Sequence, residues 1–205
     1  MIKTLSSLAL ACLAVIVIAS CSSDDGGPAK KVVILSNGEL TLDESKQKIR
    51  QEPSNRHTEE TLEFTTEKVT LEVDNGSSKK NYDLTEDGMY ILNLKVDTIV
   101  GGLVKYSDSG RASSISAEEL ERMIDSTRQM IEGKNTSDDK KTYFILPGNI
   151  KKISADAGVR VIGPYKGIPY KVDVDESGKP IEIYKFFTNK QKREVLDDML
   201  KRFGR

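Results

Sequence analysis

The chain of 205 residues carries 31 basic side chains against 32 acidic ones, a formal net charge of −1 with a pI near 6.0. That balance favours neither nucleic acid nor an anionic membrane surface as a partner. With 37% hydrophobic residues and two cysteines, the chain is suited to one ordinary domain with its own core, not to a disulfide-stapled scaffold.

The first twenty residues have the build of a secretory signal: Lys3, an apolar run from Leu8 to Ala19, then small residues. Twelve apolar residues are too few for a bilayer span, which needs about twenty in a helix. Ile18-Ala19-Ser20-Cys21 resembles the lipobox of bacterial lipoproteins, which implies removal of residues 1–20 and acylation of Cys21. Ser22 after the cysteine resembles lipoproteins sorted to the outer membrane, and Asp24-Asp25 resembles the surface-export signal of Bacteroidetes lipoproteins. The resemblance implies a protein held by lipid in the outer membrane, with the cell surface favoured over the periplasmic face. Cys12 lies inside the signal, so no free thiol remains for a disulfide, thiolate catalysis or zinc. Residues 21–30, rich in Ser, Asp and Gly, read as a flexible tether before a single domain over 31–205.

The domain opens with strands and turn dipeptides. Asn37-Gly38 separates two apolar runs, Asn75-Gly76 follows Val69-Thr70-Leu71-Glu72-Val73, and Asp87-Gly88 leads into Met89–Val96. Such dipeptides accept the positive φ angles of tight hairpins, so an antiparallel meander is expected. Residues 43–60 hold a single aliphatic side chain, Ile49, and read as a polar, mobile segment with a short exposed helix before Pro53. His57, the one histidine of the chain, falls there and is expected to be solvated. Gly101-Gly102 marks a strand bend.

Two amphipathic helices follow, at about 117–132 and 189–203. Ser116 and Glu119 begin the first with capping-box spacing, and Leu120, Met123, Ile124, Thr127 and Ile131 share a stripe ended by Gly133. Thr188 and Gln191 begin the second, whose Val195, Leu196, Met199, Leu200 and Phe203 are expected to cover a sheet. Between them lie a buried strand, Thr142–Leu146, and a hairpin of 169–174 with 180–186. The hairpin turn imitates a calcium loop at Asp173, Asp175, Ser177 and Gly178, but Tyr184 stands where a bidentate Glu is required. The expected fold class is α+β: an antiparallel sheet built from hairpins and packed by the two helices.

No nucleophile elbow, phosphate loop or zinc-protease motif occurs, and adjacent acids such as Glu118-Glu119 point apart on a helix. The sequence therefore assigns no catalytic residue, no metal ligand and no cofactor. The preferred binding surface is 162–170, where Tyr165, Lys166 and Tyr170 are the candidate residues. Prolines and glycines fix an irregular path there, and tyrosines offer stiff contact area. The expected function is a lipid-anchored binding or assembly module for another envelope component, protein or glycan, with no nucleic acid. Two alternatives stand beside it: a small hydrolase of cell-wall or polysaccharide substrate using carboxylates, and a passive structural surface protein.

Overall fold

The computed structural model describes residues 29–43, 45, 47–105, 116–175 and 177–202. Cys21 and the rest of residues 1–28, expected as signal and most of the tether, lie outside them, while Lys30, expected at the tether's end, is buried at the start of the first strand. Ten strands and two helices follow in the order β1 (Lys30–Asp43), β2 (Lys48–Phe64), β3 (Val69–Asp74), β4 (Lys79–Leu84), β5 (Gly88–Leu94), β6 (Ile99–Leu103), α1 (Ala117–Ile131), β7 (Thr142–Ile145), β8 (Asn149–Ser154), β9 (Arg160–Ile162), β10 (Ile183–Thr188) and α2 (Asn189–Arg202). A six-stranded sheet runs β4-β3-β2-β1-β5-β8 and a four-stranded sheet runs β7-β6-β10-β9.

Alternation along β1 and β5 explains how the two sheets are held. Side chains of a strand point to opposite faces in turn. Val32 and Ile34 of β1 join Tyr90 and Leu92 of β5 in one core, together with Ile49, Leu62, Leu71, Val73, Tyr82 and Leu84 from the strands beyond. That core is lined by one face of a single sheet, so the sheet curls into a nearly closed barrel. Its edges meet where Lys80 Nζ and Tyr82 Oη of β4 donate to Gly148 O, just before β8, at 2.5 and 2.7 Å. Val33, Leu35, Met89 and Ile91 face the other way, against Ile99, Tyr143, Ile145, Tyr184 and Phe186 of the smaller sheet. Each such fully buried side chain contributes about 1.5–3 kcal/mol.

This architecture corrects the expected α+β class. Strand prevails, and the helices near 117–132 and 189–203 do not roof a sheet. Both caps form as expected: Glu119 N–H donates to Ser116 Oγ at 3.1 Å, and Thr188 and Gln191 exchange bonds of 3.0 and 3.1 Å. Phe203 lies outside the described residues, the other α2 stripe residues Val195, Leu196, Met199 and Leu200 are half-buried, and α1 and α2 pack chiefly on each other. The meander is corrected too, because β1 pairs with β5 in parallel, and β2 with β3 in parallel.

Residues 48–64 form β2 instead of a loop, antiparallel to β1. Asn37-Gly38 is consequently no hairpin turn. Asn37 pairs with His57 and Glu39 with Glu52, so residues 53–56 bulge out opposite Gly38. Gly38 has φ +109°, and a Cβ there would lie 2.0 Å from Glu52 O, so the bulge demands glycine. Gly101 serves close approach: its Cβ would sit 2.1 Å from Lys185 O on β10. The turn at 175–179 forms, with Val174 bridged to Pro180, but the following strand, β10, pairs with β6 and β9 instead of 169–174. Asp173 and Asp175 are occupied by the protein. Asp175 Oδ1 accepts from Ser177 N–H, Ser177 Oγ and Lys179 N–H, and Asp173 pairs with Arg160 at 3.0 Å.

Candidate functional site

The feature of the molecule least explained by stability alone is a polar cluster beneath the 162–170 loop. His57 and Glu59 are two apart on β2, so both project to one face. Lys95 reaches them from the turn after β5, Lys185 from β10, and Lys166 from the loop itself. Lys95 Nζ lies 3.0 Å from Ser36 O and 3.1 Å from His57 Nδ1. An ammonium can only donate, so Nδ1 accepts and the imidazole proton sits on Nε2. That atom points toward Glu59 Oε2, 3.8 Å away, beyond hydrogen-bond length. Both atoms are buried without a partner among the described residues. Glu59 Oε1 receives Lys166 Nζ at 3.0 Å.

Burial lowers the pKa of His57, and the charges of Lys95 and Lys166 lower it further, against the opposing pull of Glu59 and a backbone bond at Ser36. Lys95 is also pushed down by burial, partly offset by Asp97, and burial is the main cause of a lowered Lys185 as well. The site thus holds a neutral imidazole beside the desolvated Lys95, with the desolvated Lys185 near Glu59. Lys185 Nζ donates to Gly163 O at 2.7 Å and Lys166 O at 2.5 Å, fixing the two ends of the short stretch that carries Tyr165. Gly163 has no room for a side chain, since its Cβ would lie 2.2 Å from Glu59 Oε2.

Tyr165 sits over this cluster in a left-handed conformation, φ +68°, an uncommon state for a residue with a side chain. Its ring meets His57 edge-on at 5.2 Å, with Lys95 Nζ at 6.0 Å. Tyr165, Ile168 and Tyr170 are 65%, 46% and 92% exposed. The structure therefore brings Tyr165 and Lys166 together with His57 and leaves Tyr170 projecting into solvent. Sequence reasoning missed His57, Glu59, Lys95 and Lys185. The signal that could have found the first two is their period-two spacing, which has meaning only once the segment is a strand.

No known protein family matches this chain, and neither do any curated proteins or solved structures. The site stands on its geometry alone.

A wide cleft of about 1040 Å³ lies elsewhere, with Tyr143, Tyr184, Ile153 and Ile181 among its lining residues. Six of the charges that line it are matched in pairs: Lys141 with Glu182, Lys151 with Asp138 at 2.9 Å and Lys152 with Glu86 at 2.6 Å. Lysine bonds push Glu86 and Glu182 below the usual carboxylate range, while bonds from Ser177 and Lys179 do so for Asp175. A carboxylate hydrolase needs instead one acid held protonated beside a second that is ionised. Among the described residues no group of three or more His, Cys, Asp or Glu could hold a metal ion.

Proposed function

We propose that the protein is a lipoprotein of a bacterial envelope whose β domain docks another envelope component, protein or glycan, through the 162–170 loop. Cys21 carries the acyl chains, and the Ser/Asp/Gly tether holds the domain clear of the outer membrane, at the cell surface. Each buried methylene contributes about 0.8 kcal/mol, so several chains on one residue make release negligible where a single chain binds marginally.

The observation that carries the docking reading is the combination of exposure and fixity in the loop. Tyr165, Ile168 and Tyr170 protrude, yet the backbone between Gly163 and Lys166 is tied to β10 by Lys185 and to β2 by the Lys166–Glu59 pair. A pre-set aromatic ridge binds with little ordering cost and supplies the residue types that dominate interfaces. Pull-down from solubilised envelope tests the reading. A stoichiometric partner lost on combined Tyr165→Ala and Tyr170→Ala, with the melting temperature unchanged, supports it; retention of that partner by the double variant overturns it. The anchor is tested separately, since Cys21→Ala must abolish incorporation of labelled palmitate.

A further inference from the structure

We propose that the open end of the curled sheet is a binding site for a neutral carbohydrate, seating the end of a pyranose chain. This goes beyond docking by the 162–170 loop and rests on a different observation. At the end of the sheet where β3 and β5 finish and β4 and β8 begin, a cleft of about 620 Å³ opens, within the roughly 300–1,000 Å³ typical of small-molecule sites.

Carboxamides dominate its polar lining: Asn37, Gln51, Asn55 and Asn75. Three of them are already held at one end by the protein. Asn75 Oδ1 accepts from the N–H groups of Ser77 and Ser78 at 3.1 and 2.8 Å, and Asn37 Oδ1 from Val96 N–H at 3.4 Å. Their Nδ2 groups are left as oriented donors. Gln51 is held the opposite way. Its Nε2 shares two N–H groups among Ser36 Oγ, Asn37 O and Leu94 O, which leaves Oε1 as an acceptor. Asn55, on the bulge, makes no side-chain hydrogen bond among the described residues and can offer both.

Fixed donors and acceptors close together suit a hydroxyl, which gives and accepts at once. Val96, 85% exposed, and Pro147 border the same cleft and provide apolar surface for the C–H face of a sugar ring. Charge excludes the competing chemistries. No carboxylate lines the cleft among the described residues, so a cation finds no partner there. Lys95, the one ionisable residue of the lining, is 4% exposed and turns its ammonium to Ser36 O and His57 Nδ1, so an anion finds no exposed cation and no second basic group in the lining. A purely apolar ligand would leave several amides unpaired on burial, at about 1–3 kcal/mol each.

The test is saturation-transfer NMR on the full-length protein with cellotriose, chitotriose and mannotriose, and with the tripeptide Ala-Tyr-Ala as a non-sugar probe. Expected is transfer to at least one trisaccharide with millimolar affinity and none to the peptide. Asn55→Ala should weaken binding about tenfold, the loss of one to two hydrogen bonds. Val96→Trp, at an exposed position where folding is undisturbed, should abolish it by filling the mouth. Tyr170→Ala should leave it intact, which separates this site from the loop. Absence of transfer to all three sugars, equal transfer to the peptide, or sugar binding that survives both Asn55→Ala and Val96→Trp overturns the proposal.

Discussion

Gln51 is the side chain on which the bulge in β2 depends, and its removal gives a graded test of how the structure is held. It is 7% exposed, and the two N–H groups of its amide nitrogen are shared among three acceptors: Ser36 Oγ at 3.0 Å, Asn37 O at 2.9 Å and Leu94 O at 2.8 Å. These join β1 and β2 across the register shift and tie both to the end of β5. At about 1 kcal/mol net for each N–H engaged, Gln51→Ala should cost about 2 kcal/mol. Water entering from the adjacent cleft can re-satisfy some of the stranded acceptors, reducing that to about 1 kcal/mol. Gln51→Leu has nearly the same volume and keeps water out. Asn37 O and Leu94 O then face a methyl group where an N–H stood, so this variant should be at least as unstable, at about 2 kcal/mol, although it adds apolar surface. Urea denaturation followed by circular dichroism reads both values, provided the slope with denaturant is unchanged. If Gln51→Leu falls within 1 kcal/mol of the parent, or is the more stable of the two variants, the assignment of Gln51 as a hydrogen-bonded clamp is wrong.

The remaining predictions concern the cluster beneath Tyr165. His57 is the chain's one histidine, so a single imidazole resonance should titrate below the ordinary 6.5, and Lys95→Met, which removes one of the charges depressing it, should move that midpoint upward. Because the unfolded chain then binds the proton more readily than the folded one, stability should fall as pH drops from about 6.5 through the folded-state midpoint, by at most about 1.4 kcal/mol per pH unit, and level off below it; a stability that rises on acidification across that window contradicts the burial of a neutral ring. Gly163→Ala, whose new Cβ would press on Glu59 Oε2 at 2.2 Å and Leu35 Cδ2 at 3.0 Å, should cost about 1–3 kcal/mol, and a thermal melt of the Gly163→Ala/Glu59→Ala double variant should recover part of the loss that the Gly163 change alone produces.

The parts of this fold that the sequence made legible are those decided within a few residues. Ser116 with Glu119, and Thr188 with Gln191, announce helix starts because an N-cap satisfies donors three positions away. Val69, Leu71 and Val73 alternate along a strand whose partner, β4, lies just across a short turn. What failed was non-local. Asn37-Gly38 satisfies a hairpin turn and a bulge equally well, because both require a glycine at positive φ; the choice depends on residues 52–57, which pair there only when the far hairpin closes at 43–48. Residues 48–60 are polar because much of β2 lies exposed, so the periodic signal thins to Ile49 and Gln51. The parallel pairing of β1 with β5 joins segments more than fifty residues apart, and no local pattern encodes it.

The same reasoning explains why the candidate site was half visible. Tyr165 and Lys166 sit in a stretch of prolines and glycines that any reader of composition would mark, whereas Lys95 and Lys185 occupy the kind of position where lysine is normally absent, the buried side of a strand end or strand. Their burial is tolerated because each ammonium finds backbone carbonyls: Ser36 O for Lys95, Gly163 O and Lys166 O for Lys185. Those carbonyls lie beside the register shift of the β1–β2 ladder and in an irregular loop, places where backbone acceptors are less fully consumed by a ladder. Irregularity and buried charge therefore require one another here. Lys95 carries the consequence furthest, because it lines the amide cleft on one side and stands 6.0 Å from the Tyr165 ring on the other. A ligand that shifts Lys95 from within the cleft must alter the hydrogen bond at His57 Nδ1, and with it the surface on which Tyr165 rests. The two proposed binding surfaces are for that reason physically contiguous, and the His57 resonance reports on both.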